Sequence, residues 1–150
     1  MNQDKIMKRR MITAICLMII SFIALAVFIG LYIDETHRVQ ESYKKQFRTE
    51  LGHAAEETEI YLDAEGGKDL IYRRITMYMG NASSFAFLIE DFTDQQRIIN
   101  EVSTALMKYP EQMSGKISDL KTAVNDILAD LDKGYDEMKA IFESLDLKGY

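Results

Sequence analysis

The side chains best suited to chemistry are few: two histidines, His37 and His53, and one cysteine, Cys16, in 150 residues. Glu50-Leu51-Gly52-His53 has the Glu-x-x-His spacing that sets a carboxylate and an imidazole on one helix face, half of a di-iron carboxylate site. Such a site needs a second Glu-x-x-His on a facing helix. The other histidine, in Asp34-Glu35-Thr36-His37, lies beside a long apolar run instead. Both histidines therefore read as members of a solvated helix face. No zinc-ligand, nucleophile or Gly-rich phosphate pattern occurs, and Cys16 falls inside the apolar run, where a thiol behaves as a small apolar group. No catalytic, cofactor-binding or metal-ligating residue is assigned, and an enzyme is the least supported class.

Two basic clusters interrupt an acidic surface: Arg38, Lys44, Lys45 and Arg48, and later Lys68, Arg73 and Arg74. The first has the charge to meet lipid headgroups or an acidic partner. Local pairing along a helix, Glu35 with Arg38 and Glu41 with Lys45, is the simpler expectation. Tyr43, Phe47, Tyr61, Tyr72, Phe85, Phe87 and Phe92 recur at helical spacing, which assigns most of them to a core before a ligand cage.

The elements that carry these residues begin with an anchor. Met11 to Ile33 contains no charged residue, and Lys5, Lys8, Arg9 and Arg10 precede it. As a helix, 23 residues cover about 34 Å, enough to cross a hydrocarbon core of about 30 Å with some tilt. Lys and Arg flanking a span stay on the cytoplasmic side. The expected arrangement is a single-pass protein of the cell membrane: residues 1–10 a cytoplasmic tip, 11–33 the transmembrane anchor, and 34–150 extracytoplasmic. A competing reading takes Ala24-Leu25-Ala26 as a signal-peptide cleavage site. The apolar run continues through Ile33, longer than a usual signal core, which favours the uncleaved anchor.

Beyond Ile33 about 117 residues remain, the size of one ordinary domain. Asp4 is the only acid among the first 33 residues, and four of the 18 Lys and Arg lie there, so 23 acids face 14 bases afterwards, a balance of −9. That charge disfavours nucleic acid as a partner. With Cys16 in the anchor, the domain has no disulfide to lean on and depends on its core.

Its apolar residues recur at helical spacing, predicting an all-α fold. The first stripe runs through Val39, Tyr43, Phe47, Leu51, Ala54, Thr58 and Leu62; Gly66-Gly67 closes it. The second runs through Ile71, Ile75, Tyr78, Ala82, Phe85, Ile89, Phe92, Gln96, Ile99, Ser103 and Leu106, directly across Gly80-Asn81, so a kinked but continuous helix is expected there. Asn81-Ala82-Ser83 also matches a glycosylation sequon, a short pattern common by chance. Pro110 marks the next turn. The third stripe, Met113, Ile117, Leu120, Val124, Ile127, Leu131, Gly134, Met138, Ile141 and Leu145, alternates steps of four and three with Gly134 as its only gap.

The expected architecture is a single N-terminal transmembrane helix continuing into an antiparallel, coiled-coil-like bundle of three or four helices, over about 34–65, 68–109 and 110–147. Phe87, Leu88, Ile98, Val102 and Phe142 lie off the stripes, so three helices would leave apolar surface over. These features favour a non-enzymatic protein-interaction or scaffolding module, with the lipid bilayer and either a protein partner or a second copy as its associates. The alternative is a sensor-like ectodomain. In architecture alone, a basic tip, one span and an extracytoplasmic helical bundle resemble the front half of bacterial chemoreceptors and sensor kinases. Those return through a second span, and none is expected within these 150 residues, so signalling would pass through a partner chain, with Ala26 and Gly30 as small residues for helix contact.

Overall fold

The computed structural model describes residues 2–146. All regular structure among them is helical: α1 (Asn2–Asp63), α2 (Lys68–Ala86), α3 (Thr93–Lys108), α4 (Pro110–Ser114), α5 (Ile117–Ala129) and α6 (Tyr135–Glu143). The chain divides into two compact units, Met1–Val39 and Gln40–Tyr150.

In the first unit every large apolar side chain from Met11 to Ile33 is exposed. No other residue of the first unit, among those described, covers them. Hydroxyls within this stretch satisfy themselves: Thr13 donates to the Arg9 carbonyl and Ser21 to the Leu17 carbonyl, both at 2.9 Å. Back-bonding of this kind leaves neither of these two hydroxyls needing water. Among the described residues, α1 is the one helix long and apolar enough to cross a membrane.

The second unit is built around one apolar core. Phe47, Leu51, Ala54 and Thr58 of α1 are fully buried, as are Ile75, Met79, Ile99, Leu106, Met113, Ile117, Leu120, Ile127 and Met138 from the other helices. Burying a single Leu, Ile, Met or Phe side chain stabilises by roughly 1.5–3 kcal/mol, so the stripes are the main driving force for the fold. Gly67 (φ 70°) supplies the left-handed residue that reverses α1 into α2. Contacts between these two helices keep an antiparallel register: Glu57 with Arg74, His53 with Tyr78 and Glu50 with Asn81. Antiparallel too are α2 and α3, with the Tyr72 hydroxyl donating to the Leu106 carbonyl at 2.9 Å. Helix α6 packs against both α3 and α5.

Two expected long helices are each divided. The second stripe does not break or end at Gly80, which lies well inside α2; it breaks at residues 87–92, where Asp91 (φ 64°) takes a left-handed conformation and Phe92 caps the start of α3. Asp is among the few non-glycine residues that enter this region readily. The third stretch is interrupted at Gly115-Lys116 and again at residues 130–134, where Gly134 (φ 80°) leads into α6. The gap in the apolar stripe at Gly134 is therefore a turn, not a polar lapse in a long seam. Leu147, the expected end of that helix, lies outside the described residues. Pro110 does open a helix, as the first residue of α4.

Candidate interaction surfaces

His37 and His53 are both exposed, as on a solvated helix face, and the Glu50–His53 pair also reaches the neighbouring helix. Glu50 accepts a hydrogen bond from the Asn81 side chain at 3.0 Å, and the His53 ring lies 5.0 Å from that of Tyr78. Both contacts tie α1 to α2, and no group of three or more His, Cys, Asp or Glu side chains converges among the described residues. Asn81 of the sequon stands mid-helix with Ala82 and Ser83 buried beside it.

The basic clusters resolve into separate jobs. Arg38 donates to Glu35 at 2.8 Å, the expected pair, and holds the Glu35 carboxyl below its ordinary value. Glu41 meets Lys44 at 3.8 Å, one residue short of the expected Lys45, because three-residue spacing also places two side chains side by side on a helix. In the second cluster, Lys68 stands 5.0 Å over the Tyr61 ring, a cation–π contact, and Arg74 reaches the mostly buried Glu57 at 3.2 Å. Helix α5 is tied to α1 by Lys121 and Glu59 at 3.2 Å.

Lys44, Lys45, Arg48 and Glu41 line an open depression of about 490 Å³ with Thr49 and Leu131. Nearby Asp130 is held below its ordinary value, first by the backbone N–H of Asp132, then by Lys133 and more weakly by Arg48. The hollow is mixed in charge and open to solvent, so it has the character of a surface groove.

Most of the aromatics of the second unit, among the described residues, are buried in the core or packed against it. Phe47 meets Phe92 edge to face at 5.6 Å, and Phe92 in turn meets Tyr135 at 6.3 Å. These contacts join α1, the 87–92 turn and α6. Of the apolar residues off the stripes, Ile98 and Val102 are buried and Phe142 is half-buried. Phe87 and Leu88 are the exceptions, 56% and 48% exposed at the turn between α2 and α3. Sequence reasoning marked both as surplus apolar surface, but only the backbone break puts them at a tip.

That tip is held from below. The Gln40 side-chain amide donates to the Leu88 carbonyl at 3.2 Å, and its oxygen accepts from the Glu90 N–H at 2.9 Å. A second glutamine does the same elsewhere: Gln112 donates to the Asp146 carbonyl and accepts from the Asp146 N–H.

No protein family matches this sequence, and no curated protein or solved structure is detectably similar to it.

Proposed function

We propose that this chain is a membrane-anchored interaction module: residues 11–33 span the cell membrane once, residues 1–10 are cytoplasmic, and the second unit is an extracytoplasmic, antiparallel helical bundle that binds protein. The observation that carries the reading is the contrast between the units. The charge-free stretch Met11–Ile33 is exposed along its whole length, whereas the second unit completes its own core. Apolar surface of that extent is sustained in water only by a cover, and a bilayer supplies one. The basic residues Lys5, Lys8, Arg9 and Arg10 orient the span with its N-terminus inside.

A non-enzymatic role agrees with where the chemistry-bearing side chains sit. His53, Glu50, Glu57 and Arg74 are engaged in helix-to-helix contacts. The second unit leaves outward a net acidic surface on which Leu70, Met77 and Met107 are exposed apolar residues, and these are the positions from which protein contact is sought.

The orientation is tested by external protease on intact cells: digestion after Ile33 is expected, and full protection of the second unit refutes the topology. An intact mass beginning at Met1 excludes cleavage at Ala26, and a mass beginning at Val27 establishes it. For the partner, photo-crosslinking from Leu70 and Met107 in intact membranes is expected to capture a second protein. A captured chain with a cytoplasmic signalling domain would assign the module to sensing, and failure to crosslink any protein would remove the interaction role.

A further inference from the structure

Phe87 and Leu88 are adjacent, large, apolar and exposed, yet their backbone is well ordered by local bonds: Phe87 N–H to the Ser83 carbonyl and Leu88 N–H to the Phe85 carbonyl. Behind them Ile89 and Phe92 are buried, so the turn is pinned to the core on its inner side and presents two apolar side chains on its outer side. Burying the outward pair inside the unit would require unpicking the inward pair.

The position of this tip is set by Gln40. Its side chain holds both the Leu88 carbonyl and the Glu90 N–H, and Gln40 is the seventh residue after Ile33, the end of the charge-free stretch. Seven residues reach at most about 25 Å when fully extended, and about 10 Å at helical rise. Of the exposed apolar residues in the second unit, Leu70 and Met107 belong to the opposite ends of α2 and α3, away from this turn.

We infer that Phe87 and Leu88 form a second, shallow membrane contact, seated in the interfacial layer of the same bilayer that holds residues 11–33. The inference rests on reading that stretch as a span. A Phe-Leu pair at this depth exchanges water for acyl-chain surface, the same gain by which amphipathic segments settle at the interface. Glu90 and Asp91, exposed on the same turn, remain at headgroup level and limit how deep the tip can go. They also make a zwitterionic surface the better host than an anionic one.

The chain contains no tryptophan, so a single Trp reports its own environment. The full chain is reconstituted in phosphatidylcholine vesicles whose acyl chains carry bromine near the headgroup, as three variants: Phe87→Trp, Met107→Trp and Phe28→Trp. The expected result is a blue-shifted emission that bromine quenches for Phe87→Trp, a water-like and unquenched emission for Met107→Trp, and, in vesicles brominated deeper, quenching for Phe28→Trp. Water-like, unquenched emission from Phe87→Trp beside a quenched Phe28→Trp overturns the tip contact and leaves the span standing. A blue shift at Phe87→Trp without quenching overturns it in favour of a second copy covering the tip. An unquenched Phe28→Trp removes the span and the tip contact together.

Discussion

Gly134 lies against Ala123 so closely that a Cβ placed on it would collide with the Ala123 carbonyl oxygen and stand 2.8 Å from Cγ1 of Ile127. The start of α6 meets α5 at that point, against the Ala123 carbonyl and the Ile127 side chain. The residue is also in the left-handed region, at φ 80°.

Gly134→Ala therefore combines two penalties, about 1–2 kcal/mol for the backbone and about 1–3 kcal/mol for overpacking. Gly67→Ala is the control, because Gly67 shares the left-handed conformation (φ 70°) but has open space where a Cβ would go. It should cost only the backbone term. Urea titration of the full chain in detergent micelles, followed by circular dichroism, is expected to rank Gly134→Ala as the more damaging; equal losses would mean that α5 and α6 do not meet this closely.

Tyr72, half-buried, and Tyr135, buried, should behave oppositely at neutral pH. The Tyr72 hydroxyl donates to the Leu106 carbonyl, so Tyr72→Phe is expected to cost about 1 kcal/mol. The Tyr135 hydroxyl is buried without a hydrogen bond among the described residues, so Tyr135→Phe should be neutral or stabilising. Burial raises both phenols above their ordinary value of 10.0. A raised phenol contributes stability that is fully present below pH 10 and lost as pH climbs through the folded value, because the unfolded chain ionises first. Melting temperature should fall above pH 10, and each Phe variant should flatten that decline.

The Arg74–Glu57 pair offers a test of the register between α1 and α2. The Glu57 carboxylate is mostly buried, and its Oε2 lies 3.2 Å from Arg74 Nε but off the line of the N–H, an ionic contact without a hydrogen bond. Arg74→Ala strands a carboxylate with little access to water and should cost about 1–3 kcal/mol. Replacing both residues by leucine should restore much of that loss, since the desolvation of the charges disappears with them. A double variant as unstable as the single one would show that the pair's shape, not its charge, sets the register.

Burial was largely legible in the residues, and continuity was not. Phe47, Leu51 and Ala54, Ile71, Ile75 and Ala82, and Met113, Ile117 and Leu120 all stand at the expected core positions. The breaks were hidden for a specific reason. From Phe85 to Phe92, and from Ile127 to Gly134, the chain advances seven residues, one full heptad step, so each turn returns the apolar stripe in phase. Periodicity reports which side chains leave water; it carries no record of whether the helix between them was interrupted. The diversion of Glu50 and His53 into contacts with Asn81 and Tyr78 was equally invisible, because those partners come from another helix.

By itself, then, the sequence determined an all-helical chain, the exposed apolar segment Met11–Ile33, the reversal at Gly67 and the helix start at Pro110, each from local composition or backbone preference. Only the tertiary structure decided that α3 folds back from Asp91 and α6 from Gly134, that Phe47, Phe92 and Tyr135 come together, and that Phe87 and Leu88 are left outside at a tip held by Gln40. Folding a long amphipathic helix back on itself buries its stripe against another part of the same chain, and that gain in apolar contact outweighs the few helical hydrogen bonds lost at each turn.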